Sequence, residues 1–154
     1  MSTPLDTRFA SADESPGFLL WQVTNRWQAA VRRALAPFDV THVQFVLLAV
    51  LTYGDVEEGL TQAEVSRRAG ADPMMVSQVL RALAARRLVE RTPDAIDRRA
   101  VRVRATAEGR ALARTANHAV EDVDDSFFGP GAAASGTLVG HLSAVLDRSR
   151  DPGA

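Results

Sequence analysis

The chain has 154 residues, 46% hydrophobic and 24% charged, a composition typical of one globular domain with a buried core. It has no cysteine, which excludes disulfides, thiolate zinc sites and thiol-based redox sensing. No apolar run reaches the roughly 18–20 residues of a membrane span, and the N-terminal residues lack the apolar stretch of a signal peptide, so we expect a cytoplasmic protein.

Charge is distributed unevenly along the chain. Residues 61–104 carry ten arginines and five acids, whereas residues 1–60 and 105–154 each carry four arginines and seven acids. The net charge of −1 therefore combines a middle segment of +5 with two ends of −3 each. All 18 basic residues are arginine, whose planar fork of donors suits phosphate and guanine. The basic middle indicates a nucleic-acid-binding surface, although a solvated charged surface would look similar.

The N-terminal third predicts an arm and two helices. Residues 1–15 are polar and aperiodic, which is typical of a flexible arm. From Gly17 to about Leu35 apolar residues recur every three or four positions, which predicts a long helix that Pro37 ends. Thr41-His-Val-Gln44 matches a capping box and predicts a second helix to about Tyr53. We expect this helix to run through Phe45, Leu48, Ala49 and Thr52, and an acidic loop, Asp55–Gly59, to follow it.

The basic segment opens with two short helices. Thr61-Gln-Ala-Glu64 is a second capping box, and Gly70 supplies a left-handed helix end. Asp72 then serves as an N-cap, with Pro73 at the first helical position, where its missing N–H costs nothing. Two short helices joined by a tight turn predict a helix-turn-helix.

After the second short helix the apolar period changes from 3.6 to 2. Leu88–Arg91 and Ala100–Ala105 alternate apolar and charged residues and predict two strands. The turn-forming residues 92–99 lie between them, so the segment is predicted to be a hairpin with a long tip, a wing. Thr106 then caps a long helix that Gly129-Pro-Gly131 ends, and a last helix runs through Leu138–Leu146.

Residues 60–112, LTQAEVSRRAGADPMMVSQVLRALAARRLVERTPDAIDRRAVRVRATAEGRAL, resemble the multiple-antibiotic-resistance regulator (MarR) family. The most specific match is the wing, Asp97-Arg98-Arg99-Ala100-Val101, which follows Leu88-Val89-Glu90-Arg91 at the expected spacing. The resemblance implies a mainly α fold with a small β-hairpin wing, and a repressor that binds a pseudo-palindromic operator in double-stranded DNA as a homodimer. It also implies release by a small phenolic or amphipathic ligand.

The resemblance implies the following domains. Residues 1–15 are a flexible N-terminal arm, residues 56–105 are a winged helix-turn-helix that binds DNA, and residues 17–53 and 106–150 form a helical dimerisation region. The chain departs from the family pattern in two respects. Arg87 stands where a glycine usually precedes the first wing strand, and the recognition helix carries Gln78 and Arg81, so the operator sequence cannot be transferred from relatives.

The chemistry of the side chains suggests how this segment would bind DNA. Gln can bond an adenine edge, Arg a guanine edge or a phosphate, and Met can pack on a thymine methyl, although each residue could instead be core, cap or plain surface. One of Arg98 and Arg99 is expected in the minor groove, while the other, with Asp97, could hold the wing to the domain. The candidate DNA-binding residues are Thr61, Gln62, Met74, Met75, Ser77, Gln78, Arg81, Arg91, Arg98, Arg99 and Arg102.

For an effector the candidates are Trp21, Asn25, His42 and Phe45, which could equally be ordinary core and surface residues. A metal-responsive regulator is an alternative, because His118 precedes Glu121 and Asp122, but the three histidines show no clear ligand spacing. A second alternative is a winged helix that binds only proteins. No catalytic motif of the G-x-S-x-G, P-loop or H-E-x-x-H kind is present, so we expect neither an enzyme nor a cofactor.

Overall fold

The structure, a computed structural model, describes residues 5–54, 57–132 and 137–150. The described residues form six helices and three short strands, with single 3₁₀ turns at Ala12–Glu14 and Ala36–Phe38. In chain order the elements are α1 (Pro16–Leu35), α2 (His42–Tyr53), β1 (Leu60–Thr61), α3 (Gln62–Ala69), α4 (Pro73–Ala85), β2 (Val89–Pro93), β3 (Val101–Ala105), α5 (Ala107–Phe128) and α6 (Leu138–Arg150). This confirms the predicted mainly α fold with a hairpin wing.

Side-chain caps set the helix starts as the sequence predicts. Thr41 and Thr61 both form complete capping boxes, and the Thr106 hydroxyl accepts the Gly109 N–H at 3.0 Å. At the other end of α3, Gly70 adopts φ +61°, the left-handed conformation that closes a helix most readily with glycine. Arg87 adopts φ +60° after α4, so this chain keeps the same left-handed helix end without a glycine.

The sheet contains one strand more than the hairpin. β3 pairs antiparallel with β2, Val89 opposite Ala105, and on its other side with β1, Leu60 opposite Val103. The order is β1-β3-β2. Gly59 precedes β1 at φ +74°, where a Cβ would lie 2.3 Å from the Val103 carbonyl oxygen, so only glycine allows this close approach. Sequence periodicity missed β1 because a two-residue strand shows no alternation.

Two apolar cores share helix α2. The larger core joins α2, α3, α4, the sheet and the start of α5, and includes Leu47, Leu48 and Leu51. The smaller core joins α1, α2 and α5 and includes Phe45. The helix is apolar on two sides, and each side faces a different core.

The described part of the N-terminal segment contains one short turn before α1. Residues 1–4 lie outside the described residues, as do residues 55–56 of the predicted acidic loop. Ala12–Glu14 form a 3₁₀ turn, and Ser15 caps α1, which begins at Pro16 rather than Gly17. No single described helix has the length and apolar character to cross a membrane; one bent pair, Pro16–Phe38 with His42–Tyr53, meets those criteria only when joined across a 76° break.

Candidate nucleic-acid interface

Helices α3 and α4 form a helix-turn-helix whose turn is fixed by side chains. The Asp72 carboxylate accepts the Met75 N–H at 2.9 Å and starts α4. In the turn, the Ser66 hydroxyl donates to the Ala71 carbonyl oxygen at 2.6 Å, and the Ala71 N–H donates to the Ser66 carbonyl oxygen at 3.0 Å. These bonds set the direction of α4 relative to α3, and with it the surface that α4 presents.

The outward face of α4 carries the predicted base-reading residues. Val76, Leu80 and Leu83 are buried in the larger core, and this orients the opposite face to solvent. Met74 is 74% exposed there and Met75 is 37% exposed. Gln78 and Arg81 are also exposed, and Ser77 is half-buried. A residue buried for packing would not have this exposure, so Met74 is not a core gap-filler.

The wing tip is organised around a buried carboxylate that sequence analysis did not identify. Asp94 is 8% exposed and accepts backbone N–H groups from Ile96 and Asp97, at 3.3 and 3.0 Å. Its other oxygen accepts the Arg102 Nε at 2.8 Å. Asp97, the acid expected to hold the wing, instead accepts the Arg99 N–H within the tip. The only sequence signal was the Pro-Asp dipeptide, which marks a turn without showing which acid is buried.

Arg98 and Arg99 lie exposed on this tip. Within the described residues, no hydrogen bond or ion pair engages either guanidinium. Both can therefore bind an external anion without breaking an internal contact. Their donors suit phosphate oxygens and the acceptors of the minor groove.

Three of the predicted DNA-binding residues form hydrogen bonds within the domain: Gln62, Arg91 and Arg102. The Gln62 amide oxygen accepts the Arg91 Nε and Nη2 at 3.2 and 3.0 Å, which joins β2 to the first turn of α3. Arg102 donates to Asp94 and, through Nη1, to the carbonyl oxygen of Gly59 at 3.1 Å. These contacts give the three residues a role in tying the wing to the helix-turn-helix, beside the phosphate role predicted for the arginines.

Thr61, another predicted DNA-binding residue, also forms hydrogen bonds within the domain. Its N–H and hydroxyl both bond Glu64, at 2.7 and 3.0 Å, and its hydroxyl accepts the Glu64 N–H. The Thr61 backbone N–H, and then its hydroxyl, lower the pKa of Glu64 below its ordinary value. In the wing, the Asp97 N–H and then Arg102 lower the pKa of Asp94, and Asp94 in turn raises the pKa of Arg102. The carboxylates that organise this domain are therefore held ionised.

The effector candidates lie on α1 and α2. Phe45 is buried in the smaller core, while Trp21 is 65% exposed and Asn25 is exposed on α1. The aromatic partner of His42 is Trp27, whose ring centroid lies 5.1 Å away in an edge-on arrangement. Trp27 belongs to the predicted apolar period of α1, together with Val23 and Val31, whereas Trp21 lies off it.

Trp27 joins three helices at this point. Its indole N–H donates to Asp124 of α5 at 2.7 Å, and its ring lies 6.2 Å from that of Phe128. Burial lowers the pKa of His42, an effect that Asp124 opposes, so the imidazole favours its neutral form. Beside this cluster an open groove of about 480 Å³ runs between α1 and α5, lined by small residues such as Ala30 and Ala119 with Phe127 at one end.

Among the described residues, the histidines do not form part of a metal site. In the part of the chain that the structure describes, no three His, Cys, Asp or Glu side chains converge as metal ligands would. His141 Nδ1 donates a hydrogen bond to the Thr137 carbonyl oxygen at 2.9 Å, which requires the tautomer that is protonated at Nδ1.

Comparison with known proteins gives consistent findings. The MarR family profile matches residues 38–100. The chain is 41% identical over 123 residues to the HTH-type transcriptional regulator YdcH of Bacillus subtilis strain 168, covering 79% of this chain and 84% of that protein. It is 35% identical over 114 residues to the HTH-type transcriptional repressor Rv2887 of Mycobacterium tuberculosis H37Rv, covering 73% and 80%.

A solved structure extends the likeness over nearly the whole chain. The fold matches the crystal structure of CouR from Rhodococcus jostii RHA1 bound to p-coumaroyl-CoA, with a TM-score of 0.77 and 25% identity. The match covers 95% of this chain and 99% of that one. It therefore includes α1, α5 and α6, which lie outside the residues that the family profile matches.

Proposed function

The chain belongs to the MarR family of DNA-binding transcriptional regulators, and from that premise we propose that it is a repressor that binds a pseudo-palindromic operator as a homodimer. We further propose that residues 56–105 bind the DNA and that residues 17–53 and 106–150 form the dimer. Because such a protein acts on the chromosome, its proposed location is the cytoplasm.

One observation carries the DNA-binding assignment: α4 and the wing tip present exposed, chemically suitable side chains from one rigid domain. Gln78 and Arg81 suit base edges in the major groove, and Arg98 and Arg99 suit the minor groove and the phosphates. The net charge of +5 on residues 61–104 provides the attraction for the DNA backbone. Thr61, Met74, Met75 and Ser77 complete the proposed contacts, with Gln62, Arg91 and Arg102 as phosphate contacts secondary to their internal bonds.

The first experiment measures binding to an operator selected from genomic fragments, across a series of salt concentrations. We expect the logarithm of affinity to fall with the logarithm of salt with a slope of roughly −6 or steeper, as for about seven or eight phosphate contacts per dimer. A flat salt response, or a protein that binds no duplex at low salt, would contradict the proposal. In that case a winged helix that binds only proteins becomes the better description.

A substitution tests base reading separately. Gln78→Ala is expected to cost roughly 1–3 kcal/mol on the operator and little on random DNA, because it removes a bond to a base edge and no bond to a phosphate. Arg68→Ala, at an exposed position on the last turn of α3, is the comparison variant, because it removes a positive charge and no proposed base-reading side chain. Equal losses on operator and random DNA would reassign Gln78 to a role without base reading.

The homodimer is supported by apolar surface on the first and last helices. Leu20 is 54% and Trp21 65% exposed on α1, and Leu142, Val145 and Leu146 are each about half exposed on α6, along one face. Contiguous apolar faces of this kind mark a protein interface. In the part of the chain that the structure describes, α6 contributes no buried residue to either core, so a second copy of the chain is the proposed cover.

We propose the junction of α1, α2 and α5 as the effector site. Trp21, Asn25, His42 and Phe45 remain its proposed residues, and the geometry adds Trp27 and Asp124. CouR is bound to p-coumaroyl-CoA, so an aromatic acid or its thioester is the first class to test. Titration of p-coumaroyl-CoA and of free p-coumarate should change tryptophan fluorescence and release the operator; zinc, which would indicate a metal-responsive regulator, should do neither.

A further inference from the structure

The wing contains a carboxylate in an unexpected place. Asp94 is only 8% exposed, although it lies in a hairpin tip whose neighbours Ala95, Ile96 and Asp97 are exposed. Burial of a carboxylate is costly unless hydrogen bonds and an opposite charge compensate it. The compensation that Asp94 receives links three separate parts of the domain.

Each Asp94 oxygen has its own partners. Oδ2 accepts the N–H groups of Ile96 and Asp97 and so fixes the turn, while Oδ1 accepts Arg102 Nε at 2.8 Å from β3. Arg102 Nη1 donates in turn to the carbonyl oxygens of Glu58 and Gly59, at 3.4 and 3.1 Å, immediately before β1 and α3. Asp94 and Arg102 therefore connect the wing tip to the base of the helix-turn-helix.

Backbone bonds close the tip around this pair. The Asp94 N–H donates to the Ala100 carbonyl oxygen at 3.0 Å, and the Ala100 N–H donates to the Asp97 carbonyl oxygen at 2.9 Å. The turn that results leaves Ile96 95% exposed at its outer end, with Arg98 and Arg99 exposed beside it. The exposed tip thus has a defined backbone shape and presents one apolar side chain together with two guanidinium groups.

We propose that Asp94 is a positioning residue for DNA binding, which through Arg102 holds the wing tip so that Ile96 enters the minor groove together with Arg98 or Arg99. This inference rests on the proposed function. A guanidinium suits the negative potential of a narrow minor groove, and a branched apolar side chain can pack against its sugars or wedge at a base step. A tip that is already ordered loses less conformational entropy on binding than a flexible loop does.

A second ion pair on the same two strands provides a matched control. Glu90 and Arg104 pair across β2 and β3 at 2.8 Å, the same distance as Asp94 and Arg102, but Glu90 is 56% exposed and its bond to Arg104 holds no backbone N–H of the tip. Loss of this pair removes a wing salt bridge without releasing the turn. Exposed pairs of this kind contribute little to stability.

The experiment compares Asp94→Ala, Asp94→Asn, Ile96→Ala and Glu90→Gln in the full-length protein on the selected operator. Affinity is measured together with two footprints, hydroxyl-radical cleavage for the minor groove and guanine N7 methylation for the major groove. We expect Asp94→Ala to lose about tenfold in affinity. Minor-groove protection should be lost at the operator flanks, where we propose that the wing tips lie, and methylation protection should be retained at the centre, where we propose that the two α4 helices lie. Ile96→Ala should weaken the same flank protection, and Glu90→Gln should match the wild type.

Asp94→Asn separates the two functions of the carboxylate. Its amide oxygen can still accept the tip N–H groups, but the charge that pairs with Arg102 is gone, so we expect an intermediate loss confined to the flanks. An unchanged flank footprint in Asp94→Ala and Ile96→Ala would overturn the proposal, as would an equal loss of both footprints in Asp94→Asn at unchanged thermal stability. If Asp94→Ala does not fold, Ile96→Ala and Asp94→Asn decide alone. A wild-type protein that binds no duplex would instead refute the proposed function.

Discussion

Two regions of the molecule differ in which apolar side chains stay exposed. The winged region comprises residues 57–105, and the helical region comprises residues 16–54 with 107–150. In the winged region the large apolar residues that stay exposed are Met74, Met75 and Ile96, all on the surface that we assign to DNA. The helical region leaves whole faces exposed, with Phe18, Leu20 and Trp21 on α1 and Val139, Leu142 and Val145 on α6.

The polar side chains of the winged region and of α6 also differ in how they are bonded. In the winged region Asp94, Arg91 and Arg102 are bonded across elements, so the region is complete within one chain. On α6 the one ion pair within the described residues, Arg150 with Asp147, is local and long at 3.9 Å. The comparison teaches that the winged region takes its shape from contacts within one chain, including those with α2, whereas α1 and α6 have the character of surfaces completed by a second copy.

The largest expected effect tests the packing of the winged region. Leu80→Ala, at a position with no exposure in the larger core, should lower the free energy of unfolding by about 3 kcal/mol, because it removes buried methylene contacts and leaves a cavity. Urea unfolding at fixed protein concentration measures it. Leu5→Ala, at a position 84% exposed, is the control and should change stability by less than about 0.5 kcal/mol. Equal losses of stability in Leu80→Ala and Leu5→Ala would contradict the assignment of Leu80 to a packed core.

A pair of glycines compares tight and loose packing directly. A Cβ on Gly109 would lie 2.0 Å from the Leu88 carbonyl oxygen, so Gly109→Ala must displace β2 from α5 and should cost about 2 kcal/mol. Gly140 on α6 has no atom within 4 Å of its virtual Cβ, and Gly140→Ala should stabilise the helix by roughly 0.5–1 kcal/mol. Thermal unfolding of both variants measures the difference, and a gain from Gly109→Ala would contradict the structure.

The apolar face of α6 predicts an effect on association. Leu142→Glu places a charge in the middle of that face and should raise the dimer dissociation constant at least tenfold, about 1.4 kcal/mol, as measured by sedimentation equilibrium. Ala144→Glu, on the opposite side of the same helix, should leave the dissociation constant unchanged. If the two variants dissociate equally, α6 is not the dimer surface.

The smallest expected effect distinguishes the regions by pH. The lowered pKa of His42 means that the unfolded chain takes up a proton near pH 6.5 before the folded chain does, so stability should fall as pH decreases below about 6.5. Asp94 and Glu64, with lowered pKa values, retain their contribution above about pH 4 and lose it only as pH falls through their lower folded values.

Urea midpoints at pH 7.5 and pH 5.5 measure the histidine contribution. The wild-type midpoint should be lower at pH 5.5, and His42→Gln should reduce that difference, whereas His118→Gln at an exposed position should not. A pH dependence that persists in His42→Gln would assign it to other groups.

Local signals predicted the helix-turn-helix well, because its caps depend on residues three apart. The boxes at Thr41 and Thr61 and the left-handed Gly70 act within one helical turn, so their spacing alone identifies them. The long-range contacts could not be read in this way. Arg91 and Gln62 are 29 residues apart, and their pairing depends on how β2 packs against α3, so the sequence left Arg91 open to phosphate binding.

The helical region was predicted less well for a related reason. A helical period shows which residues share a face, but on a helix such as α1 it does not show which part of that face the chain itself covers. Leu20 and Val31 belong to the same predicted stripe, yet Leu20 is 54% exposed and Val31 is fully buried. Trp27 of the same stripe contacts His42 from inside the helical region.

Helix α2 has a consequence for dissection of the protein. It supplies Phe45 to one core and Leu47, Leu48 and Leu51 to the other, so a fragment that begins at residue 57 would lose one wall of the core beneath the helix-turn-helix. We therefore expect such a minimal fragment to be insoluble or molten, and the intact polypeptide to melt in a single cooperative transition. The part of the chain proposed to bind DNA and the part proposed to form the dimer therefore do not fold as two independent units.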